Sequence, residues 1–339
     1  MSSTDPDRTP FLHRAGTAAA GVGALGEGRP KLRAFIQYGL IALVFGFLAL
    51  FLITQVGKLP DYDWRFRPAW LVAAFALVLS YYSLGPFIWR TILRGLGEDG
   101  DPVQLRAAWA KSLVARYVPT SALMVVGRVV LAERAGITKR VCLASIVYEL
   151  AIGVNSAVIA GAYFFIKLPS LQDQPARYAI LAIIPLALAG LHPRIFKPIT
   201  DWGLAKLGRE PLPKALPYRT VLLLFPVLLT GWCLIGGGLF TFALALQPLP
   251  IDKLPYIAAA YPVAFCVSVI TFIVPSGLGT RDATLATAID AVLPLTVATA
   301  IAVAFRIFQT AVELTFLGTL IWLGRRARSL SSPADADQG

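Results

Sequence analysis

The sequence predicts an all-α, polytopic membrane protein. Three observations carry this. The 339-residue chain is 57% hydrophobic and only 15% charged, against about 25% charged in a soluble domain. Its mean hydropathy is +0.68. Stretches such as 34–56 and 221–246 are long and nearly free of charge, as a helix crossing about 30 Å of hydrocarbon requires. Burying several such runs in a soluble fold would need a large polar shell, and no sequence remains to build one.

The elements follow in order. Residues 1–33 are polar and rich in Gly, Ala and Pro. They have no early apolar core, so they read as a disordered tail rather than a signal peptide. The first span is 34–56, followed by a charge-balanced loop at 57–67. The second span, 68–93, opens on Pro68, at a position where the missing N–H costs nothing. Arg90 and Arg94 read as interface anchors.

Segments 103–118 and 121–135 are too short and too charged to span comfortably. Each is about 22 Å long at 1.5 Å per residue. With Pro119 between them they read as a re-entrant hairpin. A long span at 141–166 follows, then a shorter apolar run at 178–191. The basic segment 192–219 reads as amphipathic and surface-lying. A span at 220–246 precedes an apolar arm at 255–274, the break Pro275-Ser276-Gly277-Leu278-Gly279-Thr280-Arg281-Asp282, and a short helix at 283–293. The last span is 296–323, closed by Arg325, Arg326 and Arg328, with a second disordered tail at 326–339.

About six full spans and two hairpins result. Lys and Arg near span ends place both termini in the cytoplasm of a plasma membrane. With that orientation the halves 34–168 and 178–325 of one membrane domain repeat the same element order with opposite topology, an inverted repeat with opposed hairpins at Pro119 and Pro275. The alternative is eight simple spans.

Charge and composition exclude other classes. The net charge of +12 fits cytoplasmic loops and anionic lipid headgroups rather than nucleic acid. His13 and His192 are the only histidines, so a His-based metal or nucleophile site is not expected. Cys142, Cys233 and Cys266 sit in apolar runs and read as small core residues rather than a disulfide or metal set. There is no Gly-rich phosphate loop followed by Lys-Ser or Lys-Thr and no stretch for a soluble catalytic domain. No cofactor or metal is expected, and nothing marks the chain as an enzyme.

Charges inside spans demand a partner or water. Glu149 lies in the span after the first hairpin, on one stripe with Gly153 and Ser156. Arg306, Gln309, Thr310 and Glu313 share a face of the last span by three-four spacing. The two stripes are candidates to face each other across a cavity, or to form a Glu149–Arg306 or Arg306–Glu313 ion pair that only fixes helix contacts. In the second break, Gly277 and Gly279 allow close backbone approach. Thr280 or Asp282 is a candidate cap for the helix at 283, whose N-terminus, with Arg281, favours an anion. Arg281 paired to Asp282 in a tight turn is the bland alternative. Arg128 is a candidate in the first half.

Taken together, the order of spans, Val118-Pro119 followed by Gly127 and Arg128, Glu149, the Pro-x-Gly-Leu-Gly-x-Arg-acid turn and Arg306 resemble the membrane region of bacterial lysylphosphatidylglycerol synthases, the flippase-like domain, over roughly residues 34–325. The sequence departs from it at Ser276, where Gly is usual, at Asp282, where Glu is usual, and at Arg128, where an acid often stands. These bear on ligand identity more than on fold. The resemblance implies movement of a polar-headed lipid between leaflets. It is to stand-alone members lacking the synthase domain, so synthase activity is not carried over.

The leading expectation is therefore a translocator for a phosphate-containing or otherwise polar-headed lipid. The candidate site residues are Gly277, Gly279, Arg281, Asp282, Arg306, Glu149, Glu313 and Arg128. The alternative is a membrane subunit presenting a polyprenyl-phosphate-linked substrate to a partner glycosyltransferase or synthase.

Overall fold

The structure, a computed structural model, describes residues 66–114, 121–206, 211–212, 214–271 and 280–330. The expected first span, the N-terminal tail, residues 331–339 of the C-terminal tail, Pro119, Pro275, Ser276, Gly277, Leu278 and Gly279 lie outside the described residues.

Every regular element described is helical. Among the described residues there are ten α-helices: α1 Pro68–Leu96, α2 Pro102–Val114, α3 Ser121–Glu133, α4 Lys139–Lys167, α5 Ile183–Gly190, α6 Pro193–Lys206, α7 Tyr218–Leu246, α8 Leu254–Thr271, α9 Thr280–Ile289 and α10 Leu295–Leu330. Five stretches among these residues are long and apolar enough to cross a membrane: α1, α4, α7, residues Ile251–Ile270 covering most of α8, and Leu295–Gly324 of α10. The protein is thus a multi-pass membrane protein.

Local chemistry sets the boundaries. Helix α1 starts on proline and stops at Gly97, whose φ of 98° is a left-handed value that suits glycine. There the Gly97 amide donates to the Arg94 carbonyl and the Glu98 amide to the Leu93 carbonyl, satisfying two of the last carbonyls. Asp101 then accepts from the Gln104 amide at 3.0 Å and opens α2. Glu98 accepts from both the amide and the hydroxyl of Thr138, at 2.7 and 2.6 Å, fixing the start of α4 beside the end of α1.

Three expectations change. The run at 178–191 is not one helix. A 3-10 stretch, Pro175–Ala182, gives way to the eight residues of α5, which rise only about 12 Å. Pro185 stands near the start of α5, where it cannot continue a helix arriving from the N-terminal side. The arm after the 247–250 loop, by contrast, is long enough to cross on its own. Helix α10 also continues through the three arginines to Leu330.

The helices meet in a pattern that survives exchange of the two halves. The most extensive contact is between α1 and α7. Each has 29 residues, and their ends are 150 positions apart. Helix α2 meets α10 as α8 meets α4; α3 meets α4 as α9 meets α10; α4 meets α7 as α10 meets α1. Close approach relies on glycine. A Cβ at Gly236 of α7 would sit 2.5 Å from the Ala258 carbonyl oxygen, and one at Gly85 of α1 would sit 2.2 Å from Trp109 Cζ2.

Two buried clusters result. One, including Val78, Trp232, Leu239, Tyr256, Ile301 and Phe305, joins α1, α7, α8 and α10. The other, including Trp89, Leu105, Trp109, Tyr148 and Leu224, joins α1, α2, α4 and α7. Phe316 packs on both. Large apolar side chains such as Val72, Phe87, Leu223 and Ile270 face outward, as expected where the solvent is hydrocarbon. Cys142 is buried, but Cys233 is exposed on α7 rather than in the core. Hydropathy alone does not tell a core-facing from a lipid-facing position.

Candidate functional site

Helix α9 places Arg281 and Asp282 in its first turn. It begins at Thr280, three residues before the expected start, so Asp282 lies inside the helix rather than at its cap. A carboxylate there also complements the helix dipole. The connection to α10 is short, and the α9–α10 contact brings Asp282 against Arg306, whose Nη1 donates to Asp282 Oδ2. This corrects both sequence-derived pairings. Arg306 pairs with neither Glu149 nor Glu313, because the acid on the adjoining helix is nearer than either.

Arg281 turns to α8 and α10. Its Nη1 donates to the Tyr261 hydroxyl at 3.3 Å and its Nη2 to Gln309 Oε1 at 3.4 Å. The guanidinium carbon lies 5.6 Å from the centre of the Tyr261 ring. The Arg281 Nε to Asp282 Oδ1 distance is 3.8 Å, too long for a hydrogen bond. The tight Arg281–Asp282 pair of the bland reading is therefore a loose contact, and the strong partner of Asp282 is Arg306.

A hydrogen-bonded chain runs inward from Arg281. The Tyr261 hydroxyl donates to Gln309 Oε1 at 2.9 Å, Gln309 Nε2 donates to the Tyr82 hydroxyl at 2.9 Å, and that hydroxyl donates to Glu313 Oε2 at 3.1 Å. Glu313 is only 4% exposed. The face of Arg306, Gln309 and Glu313 read from spacing is thus one polar stripe: Arg306 binds α9, Gln309 reaches α1, α8 and α9, and Glu313 shares Tyr82 of α1 with Gln309. Tyr82 and Tyr261 were not among the expected residues. The available signal was a hydroxyl in mid-span, where hydrocarbon offers it no partner.

Arg128 and Glu149 form a separate site. Arg128, 3% exposed, donates from Nη1 to Glu149 Oε2 and from Nε to the Ser112 hydroxyl at 3.1 Å. Its guanidinium lies 5.7 Å from the Trp89 ring centre, and Trp89 Nε1 donates to the Ser145 hydroxyl at 2.9 Å. Further along α4, Ser156 accepts from Trp232 Nε1 at 2.9 Å. The two stripes therefore do not pair with one another; each turns to its own neighbours.

The sites correspond under exchange of the halves. Glu149 and Arg306 are 157 positions apart, as are Ser156 and Glu313. Tyr82 and Trp232, the donors to Glu313 and Ser156, are 150 apart, the offset of α1 and α7. In each half an ion pair joins a short helix to the long helix that follows it, with the charges swapped: cation on α3 and acid on α4, acid on α9 and cation on α10.

Two recesses lie away from these pairs. One, of about 110 Å³, is lined by Gln104, Lys111, Arg134 and Gly324, near the start of α4. The other, of about 350 Å³, is lined by Tyr163, Lys167, Asp252, Lys253 and Tyr256, at the end of α4. A long helix thus separates two recesses that each hold two cations, the second with Asp252 beside Lys253.

No curated protein matches the chain. Helical architecture, long apolar helices and buried charge nevertheless agree with one family. The chain belongs to the family described as the lysylphosphatidylglycerol synthase TM region, which matches residues 39–317, most of its length.

Proposed function

We propose that the protein moves a lipid with a phosphate-containing or similarly polar anionic head between the leaflets of a plasma membrane, and that Arg281 and Arg306 meet that head. The family associates the chain with membrane lipids and a flippase-like role. The observation that carries the finer reading is the setting of Arg281. It sits in the first turn of a helix, inside the molecule, held by long bonds to a neutral hydroxyl and a neutral amide oxygen. Its nearest acid already belongs to Arg306. A phosphate would replace two weak contacts with charge-assisted, bidentate ones.

The remaining parts fit this reading. The halves form an inverted repeat, which the exchange-related contacts support, and the charge bias at span ends favours both termini in the cytoplasm. The swapped ion pairs Arg128–Glu149 and Arg306–Asp282 act as latches holding each hairpin arm to its long helix. The recesses at the two ends of α4 receive the head on either side, and the lipid tails stay in the bilayer.

The experiment is headgroup-labelled lipid scrambling in proteoliposomes. Wild-type protein should translocate an anionic phospholipid probe. Arg281→Ala should abolish the movement with normal folding, and Arg281→Lys should restore part of it. Normal movement in Arg281→Ala would overturn the site. Binding of a polyprenyl phosphate without any movement would favour presentation of a lipid-linked substrate to a partner transferase.

A further inference from the structure

Helix α6, Pro193–Lys206, has no role in the reading above, and its two faces differ sharply. Ile195, Ile199 and Trp202 fall on one side at helical spacing and are 44%, 62% and 62% exposed. Lys206 continues the stripe, its ammonium 4.0 Å from the centre of the Trp202 ring. Arg194 and Ala205, both exposed, flank the stripe at roughly a right angle, and Lys197 and Asp201 fall on the other side. There Lys197 pairs with Asp201, and Asp201 Oδ1 accepts from the Leu212 amide at 2.8 Å. Fourteen residues rise about 21 Å, too little to cross about 30 Å of hydrocarbon.

Contacts fix where the helix lies. Phe196 meets Tyr148 of α4 with ring centres 4.8 Å apart, and the Tyr148 hydroxyl accepts from the Leu216 amide at 3.0 Å. Leu216 in turn is buried against Gly95, near the end of α1. Helix α6 therefore sits at the end of the molecule where α1 stops and α4 and α7 begin. That end also carries Arg94, Arg134, Lys139, Arg140, Lys214 and Arg219.

We propose that α6 is an in-plane surface helix, its Ile195–Ile199–Trp202 stripe sunk into the acyl boundary of an anionic leaflet and its cations holding the headgroups. An exposed apolar stripe alone would suit a second protein as well. Three features select lipid. The helix lies at the ends of candidate spans, a tryptophan with a lysine over its ring closes the stripe, and the surrounding charge is positive. Together they describe a side chain set with its apolar body in hydrocarbon and its charge at headgroup depth.

The test uses the full chain in nanodiscs of phosphatidylcholine alone, and of phosphatidylcholine with phosphatidylglycerol. Cys142, Cys233 and Cys266 are replaced, and a nitroxide is attached through Ile199→Cys or Ala205→Cys. Collision with oxygen against an aqueous nickel chelate reads depth. The oxygen-to-nickel ratio should be several-fold higher at 199 than at 205. It should rise further at 199 with phosphatidylglycerol and lose that rise in high salt or in Arg194→Gln/Lys206→Gln. A nickel-accessible label at 199 would overturn the proposal. So would protection from both reagents, which would mean a second copy or another protein covers the face, or depth indifferent to phosphatidylglycerol. The readout needs no lipid movement, so it stands or falls separately from translocation.

Discussion

Arg306 of α10 and Asp282 of α9 are bound to each other, and the pair closes the junction between a short helix and the longest one in the structure. Both side chains are largely withdrawn from solvent, at 26% and 12% exposure. Removing one partner of such a pair strands the other, at a cost of about 3 kcal/mol. Arg306→Ala and Asp282→Asn should each lower the thermal midpoint of the detergent-solubilised protein. The reversed double variant, Arg306→Asp with Asp282→Arg, should recover part of the loss. Simple additivity of the two changes would show that the residues are not coupled.

The inward chain from Arg281 makes a second prediction. Tyr82→Phe removes a hydroxyl that both accepts from Gln309 and donates to Glu313. Two buried polar groups lose a partner, and the expected cost is about 1–3 kcal/mol. Glu313→Gln keeps an acceptor for that hydroxyl, so it should destabilise less than Glu313→Leu. Equal melting of the Gln and Leu variants would show that the Tyr82 bond does not matter.

A third prediction concerns helix contact. A Cβ at Gly236 would meet the backbone of Ala258, its carbonyl oxygen at 2.5 Å and its Cα at 2.7 Å. Backbone cannot step aside as a side chain can, so α7 and α8 must part. Gly236→Ala should cost about 1–3 kcal/mol. At Gly153 of α4 a Cβ meets nothing within 4 Å, and Gly153→Ala should leave stability unchanged or raise it by up to about 1 kcal/mol. The comparison is two thermal melts.

The fourth prediction is a pH dependence. Arg90 and then Arg94 hold the Asp99 carboxyl well below the usual carboxylate range. A depressed folded value means stabilisation that is fully present above the unfolded value of about 4. That stabilisation fades as pH falls from there towards the folded value. Melting of the wild type should therefore drop on acidification in part through Asp99, and Asp99→Asn should flatten that part of the slope. The carboxyl is exposed, so added salt should shrink the difference.

Spans α1, α4, α7 and α10 were legible because they depend on features written along the chain. Hydrocarbon thickness sets a length and Pro68 marks a start, whereas the stop of α1 at Gly97 rather than 93 depends on a left-handed turn that hydropathy does not record. The same-face relation of Arg306, Gln309 and Glu313 followed from helical spacing. Partners did not follow. Which residue Arg306 meets depends on how α9 and α10 rotate about their own axes, and hydropathy carries no such angle. Tyr82 and Tyr261 were overlooked for a related reason. In a composition count tyrosine passes as apolar, and its hydroxyl matters only once another helix brings a partner. The exposed Cys233 and the broken run at 178–191 show the same limit, since an apolar run reveals neither its orientation nor, without attention to Pro185, its continuity.

Tyr82 and Glu313 are separated by 231 positions, and this sets an order of events during biogenesis. When α1 enters the bilayer its Tyr82 hydroxyl has no access to Glu313, because nearly all of the remaining chain is still to be synthesised. The contact between α1 and α7 must likewise wait for the second half. Such long-range closure is slow and leaves intermediates exposed. The polar chain from Arg281 to Glu313 is therefore among the last parts of the molecule to be completed, and a chain arrested before α10 carries a half-built polar site in hydrocarbon, a mark by which membrane quality control can tell unfinished copies from finished ones.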